Sequence, residues 1–285
     1  MNRNALDRWP EAQPVGLLML TGAEDRALSE MIAADPRAIP FWSATSENML
    51  VGPMLDAPFE RMHMIEVANA ADARALVADL EHLAQGTPSS LLIAKPIPKR
   101  VKRVLAAASF LLHKLPAPSL AAALLDFPHA LGDANPTAEQ LQRFTEERMD
   151  TPILVLNLNL HKNMGVHPET GRPAPGRELA NVYFRRGIST FSRLGARMVW
   201  AGSCQGARTD GIETGEWDQI GLVLYPSRQA FADLLRVPKY AASAPFRDAG
   251  LERSWVVQCR VTASSVACDV ATSFTRRQRA ERLDG

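Results

Sequence analysis

The residues best placed by type and spacing to do chemistry sit in two short runs. In residues 153–161 the odd positions carry Ile153, Val155, Asn157, Asn159 and His161, and the even positions carry Leu154, Leu156, Leu158 and Leu160. In residues 217–225, Trp217, Gln219, Gly221, Val223 and Tyr225 alternate with Ile220, Leu222 and Leu224. Strand side chains alternate sides with a period of two, so each run reads as a strand with one aliphatic and one mixed face. A neutral imidazole at His161 could act as a base, because its charge changes near physiological pH. Asn157 and Asn159 could hold a carbonyl oxygen or a developing oxyanion. A strand-end histidine facing solvent is the bland alternative. A face of Asn, His, Gln, Trp and Tyr is too polar for a dry core. It is too aromatic for a plain wet surface, and a half-wet cavity suits it. A sheet face whose amides are satisfied against a second sheet would suit it equally. On the cavity reading the four leucines point at helices, and their odd-numbered neighbours look into a shared hollow.

Further side chains extend the candidate set. Trp200, Trp217 and Tyr225 could wall a pocket for an apolar or aromatic ligand, or could serve as core. Tyr183 and Arg186 lie three apart on one helix face. They could line the pocket mouth, Arg186 drawing in an anionic group, or could form a solvated face. The candidate catalytic residues are therefore His161, Asn157 and Asn159; the candidate ligand-binding residues are Tyr183, Arg186, Trp200, Trp217, Gln219 and Tyr225. His161 and His167 are joined by a loop that fixes no geometry, with no carboxylate or thiolate cluster beside them, so no metal is expected. No cofactor is expected either. His63 reads as a satisfied core histidine, Asp218 as structural, and Cys204 as a plain buried thiol. A phosphate-binding Gly-rich loop, a Gly-x-Ser-x-Gly elbow and a His-Glu-x-x-His helix are all missing from the sequence, which argues against nucleotide, esterase and zinc-protease chemistry.

The surrounding elements must position these residues. Strands are expected at 15–21, 41–51, 61–67 and 90–94, with helices at 24–34 and 70–83, the latter capped by Asn69. A second set follows: strand 153–161, helix 178–194 stopped by Gly195, strands 197–201 and 217–225, a helix after Pro226-Ser227, and strand 255–261. Both sets run strand, helix, strand, strand, helix, strand, which is the ferredoxin-like split βαβ order. Residues 137–148 carry a capping box at Thr137 and Gln140. Residues 99–115 join a basic head, Lys99-Arg100-Val101-Lys102-Arg103, to a short apolar helix. This reads as a linker packed across both halves, or as a helix lying on an anionic membrane. Residues 163–177 read as irregular, 238–250 as a loop or a broken helix, and the tail with Arg276, Arg277, Arg279 and Arg282 as a solvated end.

The chain has 285 residues, 46% of them hydrophobic, enough for one large domain or two ordinary ones. With 32 basic and 31 acidic residues the formal net charge is +1, which gives no reason to expect nucleic acid as a partner. Three cysteines without paired spacing suit a reducing compartment. With no signal-peptide layout and no apolar run of spanning length, a cytoplasmic protein is expected.

A resemblance follows from a series of short motifs. These are Pro136-Thr137 with Gln140-Leu141; Leu156-Asn157-Leu158; Tyr183 with Arg185; Gly195-Ala196-Arg197; Trp200-Ala201-Gly202; Trp217-Asp218; Tyr225-Pro226-Ser227-Arg228; Pro238-Lys239-Tyr240; and Arg247-Asp248-Ala249-Gly250-Leu251. In this order they make residues 136–260 resemble an uncharacterised bacterial family of the dimeric α+β barrel superfamily. The resemblance implies relatives that include cofactor-free monooxygenases, haem-degrading enzymes, isomerases and non-enzymatic modules, so the fold does not select an activity. Arg186, where a second aromatic often stands, and Pro245-Phe246, where histidines often stand, depart from the pattern.

The expected fold is α+β: two ferredoxin-like βαββαβ halves closing into one intrachain barrel. The expected organisation is a degenerate ferredoxin-like domain at 14–96, a helical linker at 97–150, a ferredoxin-like barrel domain at 151–261 and a flexible tail at 262–285. The leading expectation is a small-molecule-binding barrel, with a cofactor-independent enzyme on an apolar carbonyl or phenolic compound as its sharpest form. A non-catalytic interaction module and a peripheral membrane protein using residues 99–115 are the alternatives. Self-association is left open.

Overall fold

A computed structural model describes residues 5–22, 26–39, 41–54, 56–121, 136–146, 148–212 and 214–265. The arginine-rich tail and part of the apolar patch at 120–125 lie outside the described residues. After a 3-10 turn at Ala5–Arg8, the chain forms β1 (Val15–Thr21), α1 (Arg26–Ala34), β2 (Phe41–Val51), β3 (Arg61–Val67), α2 (Ala70–Leu83) and β4 (Ser89–Pro96). Two helices follow, α3 (Lys99–His113) and α4 (Ala138–Thr145). Next come β5 (Ile153–His161), the short pair β6 (Met164–Val166) and β7 (Pro173–Pro175), α5 (Gly176–Arg193), β8 (Arg197–Asp210) and β9 (Gln219–Tyr225). The last elements are α6 (Arg228–Leu235), α7 (Pro238–Ala241), α8 (Ala244–Gly250) and β10 (Leu251–Ser264).

Eight strands close into one antiparallel barrel in the order β1-β3-β2-β10-β5-β9-β8-β4. Closure removes every unpaired strand edge from the sheet. It also explains why two strands outrun their sequence signals. β8 continues past residue 201 because Gly202 to Thr209 pair with Pro96 to Ser90 of β4. β10 spans 251–264 because it pairs with β5 on one side and β2 on the other. The polar, turn-rich composition of residues 203–215 suggests a hairpin, but a long-range partner for the backbone overrides that local preference. β6 and β7, in a stretch that reads as irregular, pair only with each other.

The side-chain alternation is as the sequence implies, but the faces are reversed from the expectation. Leu154, Leu156, Leu158, Ile220 and Leu222 point into the barrel, where they pack with Leu18, Leu20, Met62, Met64 and Leu92 from the first four strands. Trp200, Trp217 and Trp255 fill the same interior. The odd-numbered residues of β5 face outward, where Ile153 and Val155 pack with Phe144, Phe231 and Tyr240 from the helices. An all-aliphatic face serves a barrel lumen even better than a helix layer, because both halves contribute apolar side chains and the leucines bring no polar atom that needs a partner there.

The outer layers differ between the halves. Over the first four strands α1 and α2 are seated closely: Leu28, Ile32, Leu76, Val77 and Leu80 pack on Leu17, Met19, Ile65 and Val67. Asn69 caps α2 by accepting from the Asp72 amide at 2.9 Å. Over the last four strands α5 is held from its flanks. Near its start, Gly250 at the end of α8 lets the two backbones meet; a β-carbon there would lie 2.6 Å from the Ala180 nitrogen. Near its end, Ser192 bonds Ser109 of α3 at 2.7 Å. Gly195, at φ +82°, then ends the helix in the left-handed conformation a C-terminal cap requires. Between these supports α5 bridges over the sheet.

Candidate functional site

The space beneath that bridge is a cavity of about 440 Å³. Its floor is the outer face of β5, β9 and β10, and its roof is formed by α5 and α3. Asn157, Asn159, Gln219 and Ser254 bring polar atoms to the floor; Tyr183, Phe184, Phe191, Tyr225 and Phe231 supply aromatic walls. A partly enclosed, mainly apolar hollow with a few convergent polar groups is what small-molecule sites look like.

The floor follows from strand register. Asn157 pairs with Gly221, and Asn159 with Gln219, across β5 and β9. Gly221 leaves the floor low: a β-carbon there would meet nothing nearer than the Asn157 β-carbon at 3.9 Å. On the other side of β5, Ser254 donates to the Asn159 carboxamide oxygen at 2.7 Å. The Asn157 amide donates to the Val155 carbonyl at 3.3 Å, beside the cavity.

One end of the hollow is built by α5, α7 and α8. The hydroxyls of Tyr183 and Tyr240 meet at 2.5 Å. The Arg247 guanidinium lies 5.7 Å from the Tyr183 ring centre, and its Nε donates to the Asp248 carboxylate at 3.4 Å. Burial holds the Tyr240 phenol well above its ordinary range, and Tyr183 beside it acts in the same direction. Burial likewise pushes the Tyr225 phenol up. Both phenols are therefore neutral hydrogen-bonding groups at physiological pH rather than bases.

The structure gathers Asn157, Asn159, Tyr183, Gln219 and Tyr225 around this cavity. It does not bring in the other four candidates. Trp200 and Trp217 lie inside the barrel: β8 turns Trp200 inward, and Trp217 precedes β9, outside the alternation that turns Gln219 outward; Trp200 Nε1 donates to Glu66 at 3.0 Å. Arg186 points off the helix to Glu169 at 2.8 Å and stacks on Phe246. His161 stands beyond the floor, with its Nδ1 3.4 Å from Asp218. Asp218 also accepts from the His161 backbone amide at 2.8 Å, so it has the structural role expected of it. Burial lowers the His161 pKa despite that neighbour. His63 is buried and bonded through Nδ1 to Ser43 at 2.8 Å. Burial raises the Cys204 thiol pKa to about 12, which keeps it a thiol.

Arg247, Tyr240, Phe184, Phe191 and the α3 face of Leu105, Ser109 and His113 line the site without having been among the candidates. Arg247 and Tyr240 belong to the motifs quoted above, so the signal was present as a pattern and not as a role. Nothing in residues 99–113 says which face of a basic-apolar helix will meet a sheet. No group of three or more metal-ligating side chains occurs among the described residues.

No family model matches the chain, and no curated protein matches it. Among solved structures, a protein of unknown function from Rhodopseudomonas palustris is 29% identical over 45% of this chain and 95% of its own, with a TM-score of 0.41. An anthrone oxidase-like protein is 11% identical over 91% of this chain and 95% of its own, with a TM-score of 0.46. A chlorite dismutase from Candidatus Nitrospira defluvii is 9% identical over 96% of this chain and 99% of its own, with a TM-score of 0.44. These are loose likenesses, and the reading of the site rests on its own geometry.

Proposed function

We propose that this chain binds a small, mainly apolar molecule between the outer face of β5, β9 and β10 and the helices α3 and α5. One observation carries the reading: a hollow of about 440 Å³ remains over the last four strands, where the matching face of the first four is closed by packed helices. Asn157, Asn159 and Gln219 would orient the ligand by hydrogen bonds, and Tyr183 and Tyr225 would contact its body. His161 is removed from the reading as a catalytic base, since it does not line the hollow. A cofactor-independent reaction on a carbonyl or phenolic compound then depends on neutral donors, which suit binding and polarisation better than proton abstraction.

The strand orders support two ferredoxin-like copies within this architecture. Residues 14–96 give β4-β1-β3-β2 and residues 151–261 give β10-β5-β9-β8, each fourth-first-third-second. In this reading the first copy has lost its hollow and supplies half of the barrel, and the second keeps a site.

Gly221→Leu tests the function. The added side chain enters the hollow from the floor without striking backbone. The wild-type protein is expected to bind phenylnaphthylamine with a rise in its fluorescence, and Gly221→Leu to fold with the same circular dichroism and lose that binding. Equal binding by both proteins would refute the site.

A second reading has one observation in its favour. α3 buries none of its residues, and Val104 and Leu111 are 68% and 63% exposed beside the basic side chains of Lys99, Arg100 and Arg103. An anionic membrane surface is the matching partner. Flotation with phosphatidylserine vesicles that persists in Val104→Glu/Leu111→Glu would rule this helix out as the contact.

A further inference from the structure

The charged and titratable groups around the hollow are one-sided. Arg247, Arg197 and His113 line it; among the described residues no aspartate or glutamate does. Arg197 stands at the exposed rim as the first residue of β8, whereas Arg247 is 7% exposed, at the closed end. Asp248 meets Arg247 at one edge, at 3.4 Å, from outside the lining. A guanidinium is charged at every relevant pH. Placing one in an apolar hollow is costly unless an anion or strong acceptors meet it. The ring of Tyr183 lies beside it, and that ring's hydroxyl pairs with the Tyr240 hydroxyl. Tyr240 stays a neutral phenol, so it adds no negative charge and can donate a proton to an acceptor oxygen. The low dielectric of such a site strengthens any charge pair formed in it.

We infer that the ligand is an amphipathic anion: an apolar or aromatic body that lies over Gly221 and Val223, with an acidic head group received by Arg247 and the Tyr183–Tyr240 pair. This rests on the binding reading above and narrows it to a chemical class, an organic acid in preference to a neutral carbonyl compound or a cation. The aromatic walls fit a body of one or two rings, and the distribution of charge fits one head group at the α8 end.

Two fluorescent probes with one ring system separate the possibilities. Anilinonaphthalene sulfonate carries an anionic group; phenylnaphthylamine is its neutral counterpart. The wild-type protein is expected to bind the sulfonate about tenfold more tightly or better, the scale of one charge-assisted hydrogen bond. Arg247→Gln is expected to remove that preference and to leave the neutral probe within about twofold. Gly221→Leu should exclude both probes and so identifies the hollow as their site. If phenylnaphthylamine binds in a Gly221-dependent manner and the sulfonate binds no better, the ligand-class inference fails and the site stands. If Arg247→Gln weakens both probes alike, the inference also fails. If neither probe binds, the site itself is refuted and the inference with it. The wild-type ratio needs no variant, so an Arg247→Gln protein that does not fold leaves the inference open to refutation by that ratio alone.

Discussion

Gly221 makes the difference between a floor and a filled sheet. Glycine weakens a strand through backbone entropy and leaves nothing to pack, at a cost of roughly 0.5–1 kcal/mol. Its retention opposite Asn157 is a local loss of stability at the centre of the candidate site. Gly221→Val should therefore raise the Tm, by the equivalent of roughly 0.5–1 kcal/mol, while reducing probe binding. Thermal unfolding and a titration on the same sample check both halves of that statement. His161 makes a separate prediction. Burial depresses its pKa in the folded protein, so the unfolded chain takes up the proton first as pH falls. The stability this neutral histidine contributes is complete above its ordinary value of 6.5 and is lost as pH falls from there toward the folded pKa. His161→Gln should flatten the fall in Tm below that pH, and an unchanged slope would show that other groups set it. The residue types in the two runs were legible as a mixed face, and five of the nine candidates do meet. Trp200 was misplaced because an aromatic on a strand suits a lumen and a pocket wall equally well, and Trp217 because it precedes β9, beyond the reach of the alternation read for that run.

At the scale of elements, the helices that frame the hollow are fixed at their ends. α4 is held by its capping box: Gln140 bonds back to Thr137, and its amide donates to the carbonyls of Gly52 and Met54 at 3.1 and 3.0 Å. Gln140→Ala removes both attachments at a buried position and should cost about 2 kcal/mol in chemical denaturation. Thr137→Ala removes only the cap and should cost about 1 kcal/mol. α3 is anchored differently, by a short contact from Lys102 to Glu66 on β3 and by the Ser109–Ser192 bond to α5. Glu66 also accepts from Trp200, which ties this anchor to the barrel interior. Lys102→Met should leave that carboxylate underpaired and destabilise the fold by roughly 1–2 kcal/mol, less than for a fully buried pair because the lysine is part-exposed. Most helices and strands were readable from caps, breakers and alternation. The far part of β8 and the start of β10 were not, because only a distant strand gives them a reason to stay extended.

On the whole-molecule scale, the two sets of strands are one structure. The β4–β8 and β2–β10 seams complete the barrel, and its interior takes side chains from both sets. A charged cluster supports one seam: Glu47 of β2 accepts from Arg228 at 2.7 Å and from Gln258 at 2.5 Å. Neither set alone could bury its lumen face, so unfolding should be a single transition. Tryptophan fluorescence and far-ultraviolet circular dichroism are expected to coincide during denaturation. Two separated transitions would show that the halves fold independently.

The sequence by itself determined the alternation of side chains, the paired order of elements, most of their ends and the cluster of polar residues on one face of β5 and β9. Those features are local: caps, turn residues and a period of two act within a few residues of themselves. Only the tertiary structure decided which face looks inward. Eight strands closing on one another give the leucines a dry lumen, and closure turns Asn157, Asn159 and Gln219 outward. The hollow there is equally a product of assembly, since it exists because α8 and α3 hold α5 from its two ends, and a gap left between packed elements is written in no one of them.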